Sequence, residues 1–286
     1  MAKGRELKGR IKSVENTRKI TRTMEMVATS KMKRAQDRVV AARPYARALA
    51  EVISDLYSPD LAAQFPLLRQ PSHTRRAAVL LLTSNRGLAG GFNASLIKEA
   101  RLLIQRLESD GTQVDLHVVG RKGIGFFRYL GRTLVVARTD ITDRPTASDA
   151  RGLADALIEN FTNCMLDAVY VVYAKFNSAL STPATAERVL PVTPPERKGM
   201  ARDYILAPSA DAILTELLPL YVRNSVYRAL VETVAGEQSA RRTAMKNATD
   251  NASDMINVLR RTYNRARQAQ ITQEIAEIVG GAAALE

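Results

Sequence analysis

The sequence predicts an α/β chain: a long antiparallel coiled coil of N- and C-terminal helices with an α/β domain inserted between them. Three observations predict it. Both ends carry apolar residues at heptad spacing, the middle alternates strand-like with helix-like segments, and proline is scarce at the ends, with Pro44 in the first stretch and Pro219 in the last. The expected division is 1–57 for the N-terminal helix, 58–208 for the central domain and 209–286 for the C-terminal helix.

In the first helix, Ala28, Met32, Ala35, Val39, Ala42, Ala46, Leu49, Ile53 and Leu56 are spaced alternately four and three apart. A sustained 3.5-residue repeat marks a coiled coil. Followed toward the N-terminus, the same frame meets Glu25, Thr21 and Arg18 before it reaches Val14, Ile11 and Leu7. The seam turns polar there, and Ile20, Met24 and Val27 form a displaced apolar stripe. Three polar seam residues argue against a simple homodimeric zipper and for a helix that changes neighbours along its length. In the last helix, Met245, Ala248, Ala252, Ile256, Leu259, Tyr263 and Ala266 form one seam, and Ile271, Ile275, Ile278, Ala282 and Leu285 form another, shifted in frame. At 1.5 Å per residue these helices would run to roughly 75 and 100 Å. They are expected to pack on each other and project beyond the central domain.

Between them, Ala77–Thr83, Val114–Val119, Thr133–Ala137 and Ala168–Phe176 read as strands. Helical patterns at Ala94–Glu108, Gly123–Leu130 and Ser148–Met165 separate them, and Pro183–Pro195 reads as a last extended segment and a loop. This alternation predicts a mostly parallel, Rossmann-like sheet with helical crossovers.

Composition narrows the function classes. Of 286 residues 46% are hydrophobic and 5% aromatic, and tryptophan is absent, which favours helix packing by aliphatic side chains over an aromatic pocket. The net charge of +13 calls for a polyanionic neighbour: nucleic acid, an anionic membrane face or an acidic protein surface. The first fifty residues concentrate it, with fourteen Lys or Arg against four Asp or Glu. Cys164 is the only cysteine, which excludes an internal disulfide or a C-x-x-C motif, and it reads as a buried or half-buried helical residue. His73 and His117 lie in different segments without further ligands nearby, so they read as ordinary surface or sheet-edge residues rather than a metal site. No signal peptide and no membrane-spanning run is expected, apolar stretches such as Ala77–Leu82 being far too short to span a bilayer.

One loop invites a ligand. Asn85-Arg86-Gly87-Leu88-Ala89-Gly90-Gly91-Phe92-Asn93 joins a strand to a helix, where phosphates bind helix N-terminal amides. Its spacing matches neither the dinucleotide fingerprint nor the P-loop, and no Lys-Ser/Thr follows the glycines. A tight turn needing backbone freedom explains the glycines equally well. No paired carboxylates or nucleophile–base set emerges, so no catalytic residue, cofactor or metal is expected. A nucleic-acid-binding coiled-coil scaffold and a nucleotide-binding enzyme built on the sheet remain as alternatives at this point.

The two ends and the glycine loop carry a resemblance. Ile11-Lys12-Ser13-Val14-Glu15-Asn16-Thr17, Ile20-Thr21, Met24-Glu25-Met26-Val27-Ala28 and Ser30-Lys31-Met32 form the first block. Ala240-Arg241, Ala244 through Ala252, Tyr263 through Gln268 and Ile271 through Val279 form the second, and Arg86 through Asn93 is the third. With these the chain resembles gamma subunits of F-type ATP synthases, closely over 1–57 and 209–286 and mainly in layout between.

The resemblance implies a non-catalytic rotor shaft inside a ring of three alpha and three beta subunits. The sheet domain would be a foot on the membrane c-subunit ring beside the epsilon subunit, with no nucleic acid as partner. The setting would be the cytoplasmic face of a bacterial plasma membrane. Residue by residue, Met24 would meet the acidic lever of beta, and Arg241, Gln268, Thr272 and Glu274 the beta catch loops. Ile275, Ile278 and Leu285 would lie toward the tip bearing, positions that also suit plain coiled-coil packing, and Tyr204 would lie in the foot. Asn85 stands where many members have aspartate, Ala89 where many have cysteine and Gln270 where serine is common. The cysteine pair of the chloroplast type has no counterpart, so thiol regulation is not expected.

Overall fold

The computed structural model describes residues 2–57, 64–193 and 209–283; Tyr204 and Leu285 lie outside them. The helices α1 (Ala2–Leu56) and α5 (Ala210–Ala283) enclose in sequence a five-stranded sheet. Its elements are β1 (Arg76–Leu82), α2 (Phe92–Ser109), β2 (Gln113–Val119), α3 (Arg121–Tyr129), β3 (Val136–Arg138), α4 (Ala147–Thr162), β4 (Ala168–Ala174) and β5 (Ala184–Leu190). The strand order is β3-β2-β1-β4-β5, with the first four parallel and β5 antiparallel to β4. The expected mixed α/β fold with terminal helices is thus present.

The chain divides into two compact units: Thr29–Ala240, and the chain up to Ala28 together with the chain from Arg241 on. In the first unit the sheet is buried on both faces, so β1 reads as a continuous apolar run. Ala78, Leu80 and Leu82 point to a core shared with Ile53 of α1, with α4 and with Leu214, Leu218, Val222 and Val226 of α5. Ala77, Val79 and Leu81 point to the other core, under α2 and α3. Helix α4 opens with a capping box in which Thr146 accepts from the Asp149 amide while the Asp149 carboxylate takes the Thr146 amide.

In the second unit the seam around Met245, Ala252 and Ile256 holds, whereas Ile271, Ile275 and Ile278 of the seam expected beyond it are exposed. Leu7, Thr21 and Ala28 are buried on α1, and Met245, Ala252 and Ile256 on α5. The helices run antiparallel, since Glu15 pairs with Arg260 at 2.6 Å and Thr21 meets Thr249 at 2.8 Å. Thr21 shows why the polar seam is not a break: its hydroxyl is paired across the helices, so burial leaves no orphan group.

Three local expectations need correction. Cys164 is exposed, not buried, and lies outside the helix at φ 58°. It fills the left-handed position of a Schellman end: the Met165 amide donates to the Asn160 carbonyl and the Cys164 amide to Phe161. His117 is buried on an inner strand rather than at an edge, because β3 pairs beyond it over His117–Val119. The strand expected at Thr133–Ala137 is only Val136–Arg138, because this edge element pairs with just those three residues of β2.

His117 has a testable consequence. Its pKa is lowered chiefly by burial, against the opposing charge of Asp115. Above about pH 6.5 the ring is neutral whether the chain is folded or not. Below that, the unfolded chain takes up a proton that the folded chain resists, so stability falls as pH falls. His117→Phe is expected to remove that slope, which for one proton reaches at most about 1.4 kcal/mol per pH unit. Urea midpoints at several pH values between 7.5 and 5 check this; an unchanged slope in the variant would assign the effect to another group.

Candidate functional site

In a doubly wound sheet, ligands bind outside the carboxyl ends of the strands where the strand order reverses. Here that point lies between β1 and β4, whose neighbouring crossovers go to opposite sides. The glycine loop leaves β1 at this crevice, and Ser84, Asn85 and Asn93 that flank it bind within the protein. The Ser84 amide donates to Asn93 Oδ1 at 3.0 Å. The Asn85 amide group donates to the carbonyls of Thr139 and Ile141 at 2.9 and 3.0 Å, and Asn85 Oδ1 accepts the Arg121 amide at 3.1 Å. An aspartate at 85 could keep only the last of these three bonds.

The N-terminus of α3 is equally occupied. Its Arg121, Lys122 and Gly123 amides donate to Asn85 Oδ1, the Ser84 carbonyl and Thr83 Oγ1. No amide of that first turn is left for a phosphate.

The crevice itself is filled by α5. A Cβ on Gly236 would lie 3.0 Å from Cβ of Ala174, at the end of β4, and 3.4 Å from the ring of Phe92, which opens α2 after β1. The backbone amides that leave the end of β4 are capped from the same helix. Ala174 donates to Thr233 Oγ1 at 3.4 Å and Phe176 to Glu232 Oε2 at 2.9 Å. The sheet therefore presents a braced turn and a helix where a ligand would sit. Among the described residues no group of three His, Cys, Asp or Glu could hold a metal ion, and no helix is long and apolar enough to cross a membrane.

The helix pair offers a different kind of surface. On α1 the displaced stripe faces outward: Ile20 and Val27 are 60% and 50% exposed, Met26 is exposed beside them and Met24 is half-buried. On α5, Met255 and Val258 are exposed as well, two apolar residues outside the seams. Their signal was available in the sequence, as apolar residues lying off both frames.

Toward the C-terminal end, Ile275 and Ile278 are 57% and 71% exposed, with Ile271 and Val279 also exposed. No described residue lies over this stripe. Gln268, Thr272 and Glu274 are exposed on the same stretch. The Thr272 hydroxyl donates to the Gln268 carbonyl at 3.0 Å, and Gln270 donates to Glu274 Oε1 at 2.9 Å, so the glutamine at 270 holds this carboxylate. Arg241 differs from the others: it is 8% exposed and engaged within the chain. Large exposed apolar side chains on a helix pair, set among many cations, are the composition of a surface that is covered by something.

Comparison with known proteins shows the family. The family model described as ATP synthase matches residues 3–285. The ATP synthase gamma chain of Gemmatimonas aurantiaca is 68% identical with full coverage of both chains, and that of Frankia casuarinae is 44% identical over 98% of this chain and 97% of its own. Among solved structures, the central stalk and c-ring structure of Tetrahymena thermophila mitochondrial ATP synthase contains a chain 26% identical, with a TM-score of 0.62 over 80% of this chain and 99% of that one. The rotor of Euglena gracilis mitochondrial ATP synthase shares the fold, with a TM-score of 0.65 at 17% identity over 94% of this chain and 99% of that one. The chain belongs to the ATP synthase gamma chain family.

Proposed function

We propose that the chain is the central rotor shaft of an F-type ATP synthase, without catalytic activity of its own. The paired ends turn inside the alpha/beta ring, and the sheet domain stands on the c ring beside epsilon, peripheral to the cytoplasmic face of a bacterial plasma membrane. Rotation of the c ring drives the shaft, whose uneven surface takes each beta subunit through its nucleotide states in turn. The observation that carries this is the outward apolar stripes of the helix pair, combined with a sheet whose ligand crevice is closed by its own chain.

In this reading Met24 and its exposed neighbours face the beta lever, and Gln268, Thr272 and Glu274 face the catch loop. Ile275, Ile278 and Leu285 run in the bearing, and Tyr204 belongs to the foot. Arg241, being largely buried, would act at its level by holding the helix surface in place more than by presenting a free guanidinium. The contacts are small. A neutral hydrogen bond contributes about 1 kcal/mol net, which suits contacts that break at every step.

The test is Met24→Lys in a complex reassembled with alpha, beta, epsilon and c subunits in vesicles. A new cation beside acidic beta residues forms an ion pair that resists release, worth more in a partly desolvated site than at a surface. Proton pumping is expected to fall several-fold more than ATP hydrolysis. Equal loss of both, with normal assembly, argues against a coupling role for this position.

A further inference from the structure

Apolar packing alone is a poor way to hold a turning helix in one rotational setting. The side chains of α5 that bury against the sheet, Val222, Val226, Ala229 and Leu230, are aliphatic and similar, and the hydrophobic contact they make is non-directional. The polar groups of the same stretch are different. Arg228 Nη2 lies 2.9 and 3.1 Å from the two carboxylate oxygens of Glu187 on β5, and the Tyr173 hydroxyl of β4 donates to the same carboxylate at 2.6 Å. One turn on, Glu232 accepts the Phe176 amide, and its other oxygen is 3.8 Å from Arg228 Nε. The carbonyl of Phe176 is taken from the opposite side by Arg43 of α1 at 3.3 Å. Phe176 thus stands between the two long helices. Its ring packs among Ala35 and Val39 of α1 and Val231, Val234 and Ala235 of α5, and each of its backbone polar groups is held by a charged side chain from one helix.

The cluster is costly as a stabiliser. Glu232 is buried, and burial raises its pKa against the pull of the Phe176 amide, Arg228 and Arg43. Arg228 Nε is buried without a hydrogen bond. Apolar residues of the same volume often serve stability as well or better. What the charges add is direction. Successive helix positions differ by about 100°, so turning α5 by one residue breaks the Arg228–Glu187 and Glu232–Phe176 bonds together, while Tyr173 holds Glu187 in place on the sheet.

We propose that Tyr173, Glu187, Arg228 and Glu232, with Arg43 and the Phe176 backbone, form a torque joint that locks the sheet domain to the two shaft helices against slip. This rests on the rotor reading above. The joint is a positioning device and touches no nucleotide.

The experiment uses the complex reassembled in vesicles, comparing the parent with Arg228→Met. ATP hydrolysis is expected to stay within about two-fold of the parent. Protons pumped per ATP fall at least three-fold, and fall further as an opposing proton gradient is raised, because slip grows with load. Arg228→Lys restores part of the ratio, which a merely structural role would not require. Should Arg228→Met fail to fold, Glu187→Gln replaces it, keeping the shape and removing the charge, with a smaller loss of the ratio expected. A pumping ratio equal to the parent's under load, in either folded and assembled variant, overturns the joint. A parent complex that hydrolyses ATP without pumping overturns the rotor reading instead.

Discussion

Gly120→Ala is expected to lower the stability of the sheet domain by about 3–5 kcal/mol, a large share of what a domain has. Gly120 precedes α3 at φ 99°, in a region that side chains disfavour, and a Cβ there would lie 2.1 Å from the Thr83 carbonyl oxygen. The neighbour cannot yield. Thr83 donates its hydroxyl to the Val119 carbonyl at 2.8 Å and receives the Gly123 amide at 3.0 Å, so it ties β1, β2 and α3 together. Gly125, five residues on and inside α3, has open space around its Cα, and alanine there should be neutral or stabilising by up to about 1 kcal/mol. Urea midpoints of the two variants should therefore move in opposite directions. A Gly120→Ala chain as stable as the parent would mean that this turn can rearrange.

Gly236→Leu should have the next largest effect, a loss of about 2–3 kcal/mol from overpacking. The site is the crevice between the ends of β1 and β4, where Ala174, Phe92 and Thr182 already stand at 3.0–3.4 Å from an added Cβ. Alanine at 236 needs only a few tenths of an ångström of give, and it gains about 1 kcal/mol of helix propensity, so it should come out near neutral. The leucine has nowhere to go without lifting α5 from the sheet. Thermal melts of the three chains give the comparison, and a leucine variant that melts with the parent would show that the crevice is wider than its contacts suggest.

Much of the fold was legible because periodicity reports directly on burial. The frame running through Ala28, Met32, Ala35, Val39, Leu49 and Ile53 is the frame the structure buries. Strands β1, β2 and β4 lie within a few residues of their expected places, since their apolar runs are long and bounded by turns. Where the reading was thin, the missing information was a partner remote in sequence. Thr21 is stable in a seam because Thr249 faces it, and no local pattern announces that. His117 looks like an edge residue until β3 is known to pair beyond it. Cys164 has helical neighbours, yet the helix ends just before it.

The candidate surfaces divide the same way. Ile20, Met24 and Val27 stand out in sequence as a stripe off the seam. Ile275 and Ile278 have the spacing of a buried face but are exposed, since spacing says what could be covered and not what covers it. The Arg228–Glu187 pair joins a helix to a strand forty-one residues away, and nothing in either segment points to the other.

The helix in the sheet's crevice also changes the competition for that place. A diffusible nucleotide would meet an occupant carried on the same chain, and a tethered group acts at an effective concentration of mM order or above without ever being diluted away. A ligand intrinsically able to bind such a sheet end at micromolar strength would see its apparent affinity cut by on the order of a thousandfold. At ligand levels well below millimolar the slot therefore stays closed, where an open crevice of the same intrinsic strength would fill.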